Sequence, residues 1–360
     1  MKLKNPFSIR LHRALIIFFL NAVKKSLNNP GQAIQFFKTV RCFYQSARRR
    51  AMWEKEGIQV PAIIIYSITQ RCNLKCRGCY AKALHPNQDG EMSREEVAGF
   101  IREASELGVS FFVVAGGEPF IREDFLDITE AHAEIIFLVF TNGMLINDQM
   151  IQRLKRQRNV VPLISIEGYR EETDERRGEG VYQSILDLSK KLRENRIFFG
   201  TSATLTRKTF PLLTGPDFVR EHVEVGSQFF LYIEYTAIQE GTGDWIITLE
   251  QRSQLMSLMK SYQAKWPALF MAVPGGEAEV GGCLAAGRGF VHVNANGNLE
   301  PCPFAPFSDR NIREMPLKEA LQSDLLSTIR QYPEELIPAE GGCVLWKKRE
   351  WVKSLMEKKV

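Results

Sequence analysis

The sequence predicts an α/β protein: a partial (β/α)6 barrel of the TIM type, with an N-terminal helical arm and a small C-terminal hairpin and helix extension. Three observations carry this expectation. Six apolar runs of five to eight residues alternate with helically spaced segments between Ala62 and Lys265, and strands buried on both faces that alternate with helices form parallel βα units. No clear seventh or eighth run follows, so the barrel is expected to be open. The chain's 360 residues suit one large barrel with extensions. The expected divisions are an arm at 1–57, a core at 58–270 and an extension at 271–360.

The arm stands out by charge. From Met1 to Trp53 there are eleven Lys and Arg residues and no Asp or Glu; removing those eleven charges from the net +5 leaves −6 for the rest. Ala14–Val23 is apolar except for Asn21, but its ten residues fall short of the ~20 needed to span a bilayer. After Asn28, Asn29 is placed to cap a second helix with Pro30 at its first position. Ala33, Phe36, Phe37, Val40, Tyr44 and Ala47 follow helical spacing, with Lys38, Arg41 and Arg48 to one side. This fits a basic amphipathic arm on an anionic membrane surface, with a peripheral location on the inner face of the membrane. A helical hairpin packed on the barrel or on a partner fits equally well. The arm is too rich in Leu, Ile and Phe to resemble a phosphate-binding stripe, so no nucleic-acid partner is expected.

The core elements follow in order. Ala62–Thr69 reads as the first strand, and a capping box at Ser93 and Glu96 starts a helix that Gly108 ends. Further strands are expected at Phe111–Ala115, Ile135–Thr141, Pro162–Ile166, Phe198–Thr204 and Phe229–Tyr235, with helices near Asp124–Ala133 and Thr248–Lys265. In barrels of this kind functional groups gather at the C-terminal ends of the strands. Here those ends carry Cys72, Gly116-Gly117-Glu118-Pro119, Thr141-Asn142-Gly143 and Ser165-Ile166-Glu167-Gly168.

Cys72, Cys76 and Cys79 are spaced C-x3-C-x2-C. Three thiolates on one loop can hold three irons of a cubane, leaving the fourth iron open to a small molecule. A zinc site is the alternative. It generally needs four closed ligands, and the nearest histidine, His85, is poorly spaced. Seven cysteines, three of them this close, argue against a disulfide framework.

The loop from Thr69 to Tyr80, following the first strand of a βα series, resembles the signature of the radical S-adenosylmethionine (SAM) superfamily. The resemblance covers about Pro61 to Phe304 and continues in order. It implies a [4Fe-4S] cluster on the three cysteines, SAM chelating the open iron, and reductive cleavage to a 5′-deoxyadenosyl radical that abstracts hydrogen. It further implies that Gly116, Gly117 and Glu118 hold the SAM amino group, that Ser165 and Glu167 contact ribose, and that Arg177 of Asp174-Glu-Arg-Arg-Gly178 lies near the SAM carboxylate. Two departures stand out. Gly78 occupies a position where the family usually has an adenine-contacting aromatic residue, leaving Tyr80 as the substitute, and Glu167 replaces the commoner Asp.

In the extension, Gly289–Asn294 reads as a strand, Ala295–Asn298 as a turn and Leu299 as the start of a return. Cys283, Gly297 and Cys302 resemble the first half of a SPASM or twitch extension, with Cys343 further on. That resemblance implies a second, auxiliary [4Fe-4S] cluster on Cys283, Cys302 and Cys343; a zinc site and unligated thiols are the alternatives. The expected function is radical SAM chemistry on an amphiphilic or membrane-associated substrate, with a reductant such as flavodoxin or ferredoxin. A peptide maturase is the enzymatic alternative, and an Fe–S or zinc-binding regulatory module the non-enzymatic one.

Overall fold

Seven parallel strands lie side by side in sequence order in the computed structural model of the chain, which describes residues 6–27, 29–85, 90–275, 277, 282–337 and 343–357. They are β1 (Ile63–Thr69), β2 (Phe111–Gly116), β3 (Ile136–Thr141), β4 (Val160–Ile166), β5 (Gly200–Leu205), β6 (Phe229–Glu234) and β7 (Leu269–Val273). The first six match the apolar runs. The seventh adds a strand that the sequence did not mark out.

Side chains alternate across each strand. Ile64, Tyr66, Phe112, Phe137, Ile164 and Phe230 join the main core with the surrounding helices. Ile63, Phe111, Ile136, Leu163, Phe229 and Leu269 belong to a second core inside the barrel. The helix Arg94–Leu107 begins with the expected reciprocal capping box of Ser93 and Glu96 and ends at Gly108.

The hairpin is also where it was expected, as β8 (Phe290–Val293) and β9 (Leu299–Glu300). Its partner is the surprise. β8 pairs in parallel with β1, with His292 opposite Ile65, and β9 pairs antiparallel to β8. The hairpin therefore extends the barrel sheet on the side of its first strand.

The arm forms α1 (Pro6–Lys25) and α2 (Pro30–Lys55), the latter capped by Asn29 with Pro30 in its first turn. Phe18 meets Phe229 at 5.4 Å, Phe36 meets Phe198 at 4.9 Å and Phe43 meets Phe111 at 5.4 Å between ring centroids. These partners stand at or just before the starts of strands, so the two helices close the barrel floor. Burying rings such as Phe36 and Phe43 contributes about 2 kcal/mol each. Lys25 donates to the carbonyl oxygens of Gln263 (3.1 Å) and Trp266 (2.5 Å), and Arg50 donates to Gly108 O and Ser110 Oγ. One face of the arm thus packs on the enzyme body. No described helix is long and apolar enough to cross a membrane.

Candidate active site

At the opposite end, the cysteine loop leaves β1 and folds back onto the loop after β2. The Gly117 N–H donates to Thr69 O (2.7 Å) and the Glu118 N–H to Arg71 O (2.8 Å). This approach requires the glycine pair. A Cβ on Gly117 would lie 1.9 Å from Arg71 O, and one on Gly116 would lie 2.3 Å from Thr69 O at a φ of +121°. Gly116 and Gly117 are therefore the seat of the cysteine loop. Glu91 fixes the loop's near end by accepting from Thr69 Oγ1 (2.9 Å) and Gln70 N (2.7 Å). The Arg77 N–H donates to Arg176 O at 2.9 Å and fixes the far end.

Cys72 is exposed and Cys76 and Cys79 are half-buried, all as free thiols. Partial burial pushes the Cys72 and Cys76 thiols up, while Arg177 pulls Cys76 the other way. Asn142 donates to Asn73 Oδ1 at 2.8 Å, with its amide nitrogen 3.9 Å from Cys72 Sγ. Three thiols on one tightly seated loop have the chemistry to suit a [4Fe-4S] cluster, with Asn142 beside Cys72.

Glu118 is 1 % exposed. Its carboxylate accepts from Thr141 Oγ1 (2.7 Å), Asn142 N (2.8 Å) and Phe120 N (3.2 Å). Burial raises its pKa and these donors oppose the shift. Glu118 thus ties the second rim loop to the third.

Ser165 lies half-buried near the end of β4, paired in register with Ser202. Glu167 and Arg177 meet each other directly. Glu167 Oε1 accepts from Arg177 Nη2 (2.5 Å) and Nε (3.1 Å), while Oε2 accepts from Arg176 Nη1. Gly78, at φ +71°, faces aromatic surface from elsewhere: a Cβ there would lie 3.6 Å from the Trp245 ring and 3.9 Å from the Tyr235 hydroxyl. Trp245 packs on Tyr235 at 5.2 Å, and the Arg77 guanidinium sits 5.6 Å over the Trp245 ring. Tyr80 turns toward the extension, packing on Phe304 at 5.0 Å. Burial pushes its hydroxyl up, and Cys79 and Cys302 add to that shift.

The three later cysteines come together. Cys283 and Cys302 are buried, and the neighbouring Cys302 and Cys343 thiols shift each other, Cys302 up and Cys343 down. Burial raises the Cys283 thiol, and Glu277 and then Cys343 add to that shift.

Sequence reasoning missed one buried network. His292, 0 % exposed, lies 2.8 Å from Ser67 Oγ through Nε2 and 2.7 Å from Glu300 Oε2 through Nδ1. Asn294 donates to Glu300 Oε1 at 2.7 Å, and the His85 ring stands 5.5 Å from that of His292. The signal was present: the Ala295–Asn298 turn sets His292 opposite Glu300. Both ring nitrogens of His292 have partners, so this is a closed hydrogen-bonded tie between β1 and the hairpin.

Inside the barrel, Ile65, Val113, Leu138, Phe140, Ile233 and Met271 are only half-buried although they lie in strands. Together with the second core beneath them they give the interior an apolar, accessible wall.

Comparison with known proteins agrees with this geometry. The family described as the Radical SAM superfamily matches residues 66–208. An AdoMet-dependent heme synthase from Methanosarcina barkeri is 27 % identical over 321 residues, covering 79 % of this chain and 88 % of that protein. The mycofactocin maturase MftC of Mycobacterium tuberculosis is 26 % identical over 274 residues, covering 70 % of this chain and 66 % of that one. Among solved structures, Streptococcus suis SuiB bound to S-adenosylmethionine shares the fold, with a TM-score of 0.65 at 21 % identity over 80 % of this chain and 72 % of that one. The matched segment takes in the second half of β1, the cysteine loop, the glycine seat and Arg177, and the chain carries a radical SAM domain over those residues.

Proposed function

We propose that Cys72, Cys76 and Cys79 hold a [4Fe-4S] cluster and that the enzyme acts on a bulky, largely apolar substrate of the tetrapyrrole kind, held inside the barrel. The observation that carries the substrate class is the interior wall of Ile65, Val113, Leu138, Phe140, Ile233 and Met271. It offers contact to a broad apolar body and no charged group to a peptide backbone. The names of relatives point the same way: heme synthase, Fe-coproporphyrin III synthase and pre-heme d1 synthase.

When bound, the cluster supplies the electron that cleaves SAM and releases the 5′-deoxyadenosyl radical. The chain's own residues position and shield. Glu118, already holding two rim loops, presents its carboxylate to the SAM amino group. Arg177 serves the carboxylate end, with Glu167 orienting it, and Ser165 serves the ribose. Trp245 and Tyr235 provide the flat surface that Gly78 leaves uncovered. Cys283, Cys302 and Cys343 hold an auxiliary cluster, with Tyr80 between the two cysteine groups, and a flavodoxin or ferredoxin supplies electrons.

The second reading is a peptide maturase, supported by MftC and by the SuiB structure bound to precursor peptide SuiA. The test is direct. The anaerobically reconstituted protein, given dithionite and SAM, releases 5′-deoxyadenosine. Fe-coproporphyrin III then shifts its Soret band on binding, and Leu138→Glu weakens that binding. Absence of 5′-deoxyadenosine defeats the radical assignment; 5′-deoxyadenosine without porphyrin binding defeats only the substrate class and favours the peptide reading.

A further inference from the structure

We infer that the protein docks on an anionic lipid bilayer through its barrel floor, with the cysteine-bearing mouth directed away from the lipid. The face of α1 and α2 opposite the barrel carries the argument. Of the twelve large apolar side chains most exposed among the described residues, seven belong to the arm: Ile17, Leu20, Leu27, Ile34, Phe37, Tyr44 and Met52. Phe37 and Leu27 are each 65 % exposed. On α2 the exposed residues Ile34, Phe37, Arg41, Tyr44, Arg48 and Met52 recur every three or four positions. They therefore form one stripe, opposite the buried Gln32, Phe36, Thr39, Phe43 and Ala47.

Charge selects the occupant. Lys38, Arg41, Arg48, Arg49 and Lys55 are exposed on α2, and Arg10, Arg13 and Lys24 on α1. No acidic residue precedes Glu54. An apolar stripe interleaved only with cations matches a surface that is apolar beneath and negatively charged above, which is an anionic bilayer. A second copy of the same face would set these like charges against one another. A shallow groove of about 380 Å³ lined by Phe37, Val40, Arg41, Tyr44, Gln45 and Arg48 gives the face local relief. The amphipathic sequence pattern alone could not separate membrane binding from packing on the body. The structure divides the arm between both, one face for each.

Strand direction fixes the orientation. The arm lies beneath the N-terminal ends of the strands, and Cys72, Glu118, Asn142 and Glu167 lie beyond the C-terminal ends. A substrate therefore reaches the mouth from the aqueous side, or must leave the lipid before it reacts.

The experiment uses the full-length reconstituted protein and vesicles of phosphatidylcholine with or without phosphatidylglycerol. Binding to the phosphatidylglycerol vesicles alone is expected. The combined change Lys38→Glu, Arg41→Glu and Arg48→Glu should weaken it about a hundredfold. Phe37→Ser should also weaken it, and release of 5′-deoxyadenosine should be unchanged in both variants. Orientation is read with brominated lipid: added tryptophan fluorescence is quenched in Tyr44→Trp and not in Leu249→Trp, at the mouth-side start of the helix Leu249–Lys265. Equal binding to neutral vesicles, binding that survives the charge reversal, self-association through this face without vesicle binding, or the opposite quenching pattern each overturns the inference.

Discussion

The two cysteine groups of this chain are built in opposite ways. Cys72, Cys76 and Cys79 sit within one loop, partly exposed, on a seat of backbone contacts made possible by Gly116 and Gly117. Cys283, Cys302 and Cys343 come from distant points in the chain and are mostly buried, as free thiols that shift one another's titration. A site that must admit a small molecule to its metal needs ligands placed by a short loop and an open side. A site that only holds or passes charge can be enclosed, and its ligands can staple separate segments together. The difference suggests that chemistry belongs to the first group, and that electron supply or architecture belongs to the second.

Four changes sharpen or break that contrast. Cys76→Ala should lower 5′-deoxyadenosine release by about a thousandfold or more, because the cluster that supplies the chemistry is lost. Gly117→Ala keeps every thiol but drives a methyl group into Arg71 O. Displacing the loop by an ångström should cost about a hundredfold in the same assay, with iron content as the control. Glu118→Gln keeps the shape and removes the charge, so KM for SAM should rise about tenfold. Cys302→Ala should leave SAM cleavage measurable while iron falls from about eight to about four per chain. Loss of all iron in that last variant would mean that the two groups are not independent.

The strands of the barrel were legible because long apolar runs such as IIFLVFT have only one reading when helices flank them. β7 was not, since LFMAV follows a 17-residue helix and Pro267 with no polar punctuation of its own. The order of the rim motifs showed where the site lies, because each falls immediately after a strand. Contacts between distant segments were beyond reach. Nothing local announces that Trp245 fills the space beside Gly78, or that Glu167 pairs with both arginines of its own motif. The arm's periodicity was visible, but helical spacing tells only that two faces differ, and the floor's Phe111, Phe198 and Phe229 decide which is covered.

The pairing of β8 with β1 has a consequence for the growing chain. Residues 63–66 meet residues 290–293, so during synthesis the first strand emerges more than two hundred residues before its outer neighbour exists. Until then one edge of β1, rich in isoleucine, offers unpaired backbone groups to any other extended segment. Such long-range parallel pairing is slow and prone to misassociation. Vectorial folding of this enzyme should therefore lean on chaperones or a low translation rate through its middle, and C-terminal truncations before Phe290 should accumulate as aggregates.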